Sequence, residues 1–356
     1  MASLSSLRAR FAGRRLGLVV AKLVETFSRG AFIVIGTYAL PIEDAGRFGL
    51  FATLVGLGAF MTGFERQIDL QRRLVGEPPP VVHASIAAAL RLFALNHLLL
   101  LPLLLLALTL WVHLDPGLAL LCVLIVVAEQ VSNQTYQAAL IDDRYRALIL
   151  LVAAKNTLLI LGVAAYWLAS LPLRLDVLLK LWAAVSVLFI VLCALAWRAS
   201  CPRGAQALRA GAVGFRAQYT ASVHHFMIGV TAVLALQADR LIVASLLSPI
   251  EVGTYFRNVI LVSIAYQIFN VASFSRIAPT VFLLARSGPS CEGRRIVRRE
   301  WLRTAALVTV GAALLMAAPA LGMQPLLDTV HIATGLQITL LLAFLIRTAA
   351  DLSGLL

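Results

Sequence analysis

The chain predicts an all-α polytopic transmembrane helical bundle of about ten spanning helices arranged as two pseudo-symmetric lobes, and three observations predict it. Hydrophobic residues make up 61% of the 356 positions and charged residues 13%, against an apolar share of about 45–50% in soluble domains. Basic residues recur in every second connection between the apolar stretches. A turn also occurs twice, as Leu40-Pro41-Ile42-Glu43-Asp44-Ala45-Gly46-Arg47-Phe48 and as Ser248-Pro249-Ile250-Glu251-Val252-Gly253-Thr254-Tyr255. Leucine and alanine fill the apolar stretches without period-two alternation. That excludes an outer-membrane barrel and leaves helices as the spanning form.

A span needs roughly 20 mostly apolar residues. Ten stretches qualify, at about 16–40, 45–69, 84–112, 117–140, 147–169, 177–197, 218–246, 253–278, 302–320 and 326–350. The first six form an N-terminal lobe over 1–200. A connection rich in Arg, Gly and Ala follows at 201–217, and the last four form a C-terminal lobe over 218–356. A complete repeat would give the second lobe six helices, so the expectation is a shortened protein or a chain truncated after Leu356. Each copy of the repeated turn joins two spans. Pro41 and Pro249 favour ending the preceding helix, and Gly46 and Gly253 permit close approach as the next begins. Glu43 and Glu251 lie where the positive end of a helix dipole favours a carboxylate. These turns are expected to build the fold rather than to touch a substrate.

The formal charge of +13 would suggest nucleic acid on a soluble face, but its distribution argues for topology. Arg8, Arg10, Arg14 and Arg15 precede the first span, Arg72 and Arg73 follow the second, and Arg144 and Arg146 follow the fourth. Arg198, Arg203, Arg209 and Arg216 follow the sixth, and Arg286, Arg294, Arg295, Arg298 and Arg299 the eighth. Arg174 is the one basic residue in the intervening connections. The positive-inside rule therefore places both termini in the cytoplasm. Residues 8–40 superficially fit a signal peptide, but Lys22, Glu25 and Arg29 interrupt the apolar run and no small-residue cleavage site follows, so they are read as a mature helix. Cys122, Cys193, Cys201 and Cys291 show neither a disulfide framework nor metal spacing.

Ionised groups at bilayer depth cost about 2.5–3.5 kcal/mol each on insertion scales and normally face a bundle interior or a wet cavity. In the first span Lys22, Glu25 and Arg29 are three and four apart and share a face. One carboxylate cannot neutralise two cations, which favours a cation-lined cavity wall over a self-neutralising ladder. Arg91 and Asn96 in the third span and Lys155 and Asn156 in the fifth extend this set. Glu129, Gln130, Asn133, Gln134 and Gln137 form a polar stripe in the fourth. The seventh carries His224, His225, Gln237, Asp239 and Arg240; the histidines read as interfacial. Asp239 is the strongest single candidate for a proton or sodium site, with Glu25 and Glu129 beside it. Ser263, Gln267 and Asn270 share a face of the eighth span, and Arg347 lies in the tenth. Amide stripes often act as interhelical glue, but together these residues imply water inside the bundle. Glu65, Arg66 and Asp69 end the second span, where snorkelling to the surface explains them. There is no phosphate-binding loop, no HExxH-type metal cluster and no nucleophile elbow, so neither a cofactor nor catalysis is expected.

The two turns, and the segment Gln237-Ala238-Asp239-Arg240-Leu241-Ile242-Val243-Ala244-Ser245-Leu246-Leu247 that leads into the second, resemble those of the Wzx-type oligosaccharide flippases. These belong to the multidrug/oligosaccharidyl-lipid/polysaccharide exporter superfamily. The resemblance implies a multi-pass protein of the bacterial inner membrane whose helices one, two, seven and eight line a cavity between two six-helix lobes. Cavity cations, here Lys22, Arg29, Lys155 and Arg91, would hold the pyrophosphate and sugars of an undecaprenyl-linked oligosaccharide, an O-antigen or exopolysaccharide repeat unit. Glu25, Asp239 or Glu129 would couple to Na+ or H+, and Gln267, Asn270 and Asn133 would line the path. Other polysaccharide-assembly membrane proteins would be partners. Two other classes stay open: a membrane polymerase or ligase, which needs a larger outer loop, and a drug or cation exporter, for which an acidic cavity is expected.

Overall fold

The computed structural model describes residues 4–64, 66, 70, 74, 79–110, 114–141, 146–200, 215–260, 262–263, 277, 281, 291–317 and 334–353. Among the described residues every regular element is a helix. They are α1 (Leu4–Ala39), α2 (Ile42–Gly63), α3 (Pro79–Leu110), α4 (Pro116–Ile141), α5 (Arg146–Leu168), α6 (Leu175–Ser200), α7 (Phe215–Leu246), α8 (249–260), α9 (Cys291–Ala317) and α10 (Thr334–Ser353).

Five stretches are long and apolar enough to cross a bilayer: Ile42–Gly63, Ala84–Leu110, Pro116–Tyr136, Leu148–Leu168 and Leu175–Arg198. The protein is therefore a helical membrane protein, but five of the ten expected spans meet that criterion among the described residues. Polar residues account for much of the difference. Lys22, Glu25 and Arg29 interrupt α1, Gln237, Asp239 and Arg240 interrupt α7, and the first half of α9 is rich in arginine. In α10 the apolar stretch is short, Gly335–Ile346. Most of the expected eighth span, 264–276, lies outside the described residues.

The chain divides into two compact units, one of Met1–Phe32 with Arg47–Leu247 and the other of Ile33–Gly46 with Ser248–Leu356. This division does not follow the expected lobes, because α7 belongs with the N-terminal helices. In the first unit α4 packs most extensively on α6, and α3, α4, α5 and α6 pack in sequential pairs. Trp182 of α6 is enclosed by Phe32, Phe48 and Phe51 with ring centroids 5.3–6.2 Å apart. The α7 contact is aromatic as well. Phe226 stacks on Phe64 at 4.1 Å and on Phe60 at 5.7 Å, and Tyr219 donates its hydroxyl to Asn96 Oδ1. Phe64 holds φ 50°, a strained conformation for a bulky residue, and α2 ends there. Arg66 is consequently buried, its Nη1 donating to Ser222 Oγ at 3.4 Å. The expectation that it snorkels to the surface is corrected: the turn at Phe64 carries it inward. Glu65 and Asp69 lie outside the described residues.

Local signals explain several boundaries. Asp115 Oδ1 accepts from Gly117 N at 2.8 Å ahead of α4, an N-cap with Pro116 at the first helical position. α5 ends in a Schellman motif, Leu171 N to Tyr166 O at 3.1 Å and Ser170 N to Trp167 O at 3.0 Å, with Ser170 at φ 53° in the place glycine usually takes. At α8, Ser248 Oγ and N both donate to Glu251 Oε2, at 2.7 and 2.9 Å, closing a capping box. Those bonds, the hydroxyl first, hold the Glu251 carboxyl below its usual range.

In the second unit α9 packs on α10, with Val262, Val308 and Phe344 in one apolar cluster and Ile277, Val281, Val297 and Leu352 in another. Gln337 of α10 donates to Asn258 O at 2.9 Å. Arg257 of α8 caps the C-terminus of α1: its Nη2 donates to Leu40 O at 3.0 Å and its Nε to Thr37 O at 3.3 Å. Its guanidinium also lies 5.4 Å from the Tyr38 ring centroid. A cation satisfying the last carbonyls of a helix complements the negative end of the dipole. Arg257→Ala is expected to cost about 1.5–3 kcal/mol, the range for hydrogen bonds to a charged group. Arg257→Lys should recover only part of it, since an ammonium lacks the fork. Thermal unfolding in detergent checks both, and an unchanged midpoint in the alanine variant would discard the cap.

The first i→i−4 bonds give the repeated turns a register that their letters conceal. Ala45 N bonds Pro41 O at 2.9 Å and Val252 N bonds Ser248 O at 2.9 Å. Pro41 therefore matches Ser248, Asp44 matches Glu251 and Gly46 matches Gly253. The Pro-Ile-Glu triplets are offset by one residue, while the glycine and the first-turn acid are equivalent.

Candidate functional site

Three helices of the first unit bring ionised groups together, and a fourth packs against them. Glu129 on α4, 1% exposed, accepts from Lys155 Nζ of α5 at 2.7 Å and forms an ion pair with Arg29 of α1, whose Nη1 lies 3.0 Å from Glu129 Oε2. Lys155 also donates to Ser132 Oγ at 2.9 Å, and its ammonium lies 5.2 Å from the Phe189 ring centroid of α6. Next to it in sequence, Asn156 donates Nδ2 to Glu25 Oε1 at 3.2 Å, and Thr26 Oγ1 lies 3.4 Å from Glu25 Oε2. Glu25 and Asn156 are buried. The Trp182 indole N–H lies near the Glu129 carboxylate but outside hydrogen-bonding geometry.

Sequence spacing explains why these groups meet. Glu25 and Arg29 are one helical turn apart on α1, as are Trp182 and Ser186 on α6, and Glu129 and Ser132 share a face of α4. Each helix turns one polar face toward the same place. Arg29 and Lys155 carry two positive charges, Glu25 and Glu129 two negative ones, so the four groups balance. The expectation set Glu25 alone against Lys22 and Arg29; Glu129 supplies Arg29 with a carboxylate from another helix, and the Lys22 side chain lies outside the described residues. Such balance is the condition under which charges persist in a low-dielectric interior. Gln130 Nε2, Asn156 Oδ1, Trp182 Nε1 and Ser186 Oγ are buried with no hydrogen-bond partner among the described residues, and buried polar groups of this kind recruit water.

The other expected site residues fall in different places. Lys155 was expected as a cavity cation, but its side chain is 0% exposed and held by Glu129 and Ser132, so it cannot meet a substrate without first breaking that pair. Arg91 is exposed on α3, among exposed Leu90, Leu98 and Leu99, and the cluster does not include it. Asn96, its neighbour on α3, instead donates to Thr62 O at 2.9 Å. Arg29 retains 27% exposure, which makes it the cation through which the cluster reaches the surface. Asn133 and Asp239 are half-buried on α4 and α7. His224 is exposed and His225 half-buried, their rings 5.9 Å apart. The Lys22 side chain, the Arg347 side chain, Gln267 and Asn270 lie outside the described residues. Sequence reasoning missed Ser132, Trp182 and Ser186 because a hydroxyl or an indole in an apolar stretch carries no signal until its neighbours are known.

Fold and cluster together define a helical membrane protein with a charged, polar centre inside its apolar helices. Comparison with protein families, curated proteins and solved structures gives no match.

Proposed function

We propose that this protein is a transporter that carries an anionic lipid-linked oligosaccharide across the bilayer, coupled to an H+ or Na+ gradient. The observation that carries the proposal is the Arg29–Glu129–Lys155 cluster within the membrane helices, since ionised groups at that depth usually mark a transport path. The resemblance of the two turns to those of the oligosaccharide flippases supplies the substrate class. In this reading Arg29 exchanges Glu129 for a pyrophosphate, which a guanidinium binds through paired hydrogen bonds. Lys155 keeps Glu129 compensated meanwhile, so the exchange leaves no carboxylate unpaired. Protonation or ion binding at Glu25 or Glu129 would then bias the alternating states. Asp239 on α7 is the second coupling candidate. The full reading has ten spans in two pseudo-symmetric lobes in a bacterial inner membrane, the N-terminus in the cytoplasm.

The test is transbilayer movement of a fluorescent undecaprenyl-pyrophosphate oligosaccharide in proteoliposomes, read by chemical quenching of the outer leaflet. Wild-type protein is expected to accelerate movement when a proton or sodium gradient is imposed, and Arg29→Ala to lower the rate at least about tenfold, the loss of one charge-assisted contact of about 1.4 kcal/mol or more. Folded wild-type protein that moves no more substrate than empty liposomes would end the proposal. An Arg29→Ala variant at the wild-type rate would end the role given to that residue.

A further inference from the structure

Helix α9 changes character along a single exposed face. Arg294, Arg295, Arg298, Arg299 and Arg303 are all exposed, while Gly293, Val297, Glu300, Thr304 and Val308 are buried. At 3.6 residues per turn the arginines cover one half of the helix circumference and the buried set covers an arc on the other. Arg303 lies 3.4 Å from Glu300, and Arg294, Arg295, Arg298 and Arg299 have no ion-pair partner among the described residues. Beyond Arg303 the exposed surface becomes aliphatic along the edge that Arg299 and Arg303 share: Leu307 is 60% exposed, Val310 57% and Leu314 61%. A face that switches from guanidinium to leucine within about one turn has the profile of a helix crossing from the headgroup layer into the acyl layer.

We propose that α9 carries an anionic-lipid docking stripe, with Arg294, Arg295, Arg298 and Arg299 seated against the phosphates of acidic phospholipid headgroups and the water–hydrocarbon boundary lying between Arg303 and Leu307. Charge and depth point to the same occupant. A soluble acidic partner would meet the arginines but would leave Leu307, Val310 and Leu314 facing water, whereas a lipid leaflet matches both halves of the face. Clusters of four or more arginines next to a membrane helix attract acidic lipids in this way. The stripe is independent of the transport reading and would operate in any membrane protein with this helix.

Cys291, exposed at the first residue of α9, places a reporter at the stripe. With Cys201→Ser, an environment-sensitive fluorophore on Cys291 of the full-length protein is titrated with phosphatidylglycerol in phosphatidylcholine nanodiscs. The expected result is a saturable signal with phosphatidylglycerol, none with added phosphatidylcholine, and a midpoint at least about tenfold higher when the four arginines are changed to glutamine. If the fourfold variant fails to fold, raising the KCl concentration on the wild type provides the second measurement, and the midpoint should rise with salt. A midpoint unaffected by both changes would overturn the proposal. So would equal responses to the two lipids, or displacement by soluble pyrophosphate with no response to phosphatidylglycerol.

Discussion

Glu129→Leu is expected to lower the unfolding free energy by about 3–5 kcal/mol, the penalty for leaving a buried charge without its partner. The charge left behind is Lys155, which has no exposed surface and would keep only Ser132 as a hydrogen-bond partner. Arg29 would suffer less, because 27% of its side chain is exposed and it can turn toward water or headgroups. That asymmetry makes a double variant informative. Glu129→Leu with Lys155→Met replaces both members of the enclosed pair by apolar groups of similar size, a change that is often neutral or stabilising. The double variant should therefore recover most of the lost stability, with a coupling energy well outside the few tenths expected of independent sites. Unfolding in detergent, followed by far-ultraviolet circular dichroism of the helices, measures the cycle. Additive losses would mean that the 2.7 Å contact between these two groups carries no mutual dependence. Transport separates structure from mechanism in the same proteins. If the proposed exchange operates, the double variant is folded and inactive, because Arg29 no longer has the Glu129 carboxylate to exchange.

The helical membrane character of this chain was legible in its sequence because hydropathy is summed over long windows and survives local exceptions. The partners of individual charges were not. Spacing within α1 placed Glu25 and Arg29 on one face, but nothing local indicates that Arg29 reaches Glu129, one hundred positions away, or that α6 closes the cluster with Trp182 and Ser186. Arg91 shows the limit from the other side. Its depth in an apolar stretch was readable, whereas its facing depends on which side of α3 finds a neighbour, and exposed leucines flank it. Arg66 looked like a residue at the end of a span until the chain turned at Phe64 and buried it. Arg257, near the start of α8, caps α1 through a contact more than two hundred positions away in the chain. In each case the sequence specified a charge and a height, and tertiary packing decided the partner.

The repeated turn carries the last and most local expectation, and here a glycine is required for its missing side chain. Gly46 and Gly253, the equivalent fifth residues of α2 and α8, lie against each other. A Cβ on Gly253 would overlap the carbonyl oxygen of Ile42 and stand 2.8 Å from its carbonyl carbon. Backbone on that side cannot swing away as a side chain can, so Gly253→Ala must push two helix starts apart. Its cost should reach or exceed the roughly 1–3 kcal/mol typical of overpacked sites. Gly46→Ala meets Gly253 N at 3.0 Å and Val252 Cγ1 at 3.1 Å, contacts that a shift of a few tenths of an ångström relieves, so its loss should be smaller. Gly56→Ala in the middle of α2 meets nothing within 4 Å. There alanine should be neutral or stabilising by up to about 1 kcal/mol, since glycine is the poorer helix residue. Melting temperatures of the three variants in one detergent should fall in the order Gly56→Ala, Gly46→Ala, Gly253→Ala from highest to lowest. If Gly253→Ala melts with the wild type, the two turns do not make the backbone contact that gives the repeat its register, and the pairing of Gly46 with Gly253 loses its physical basis.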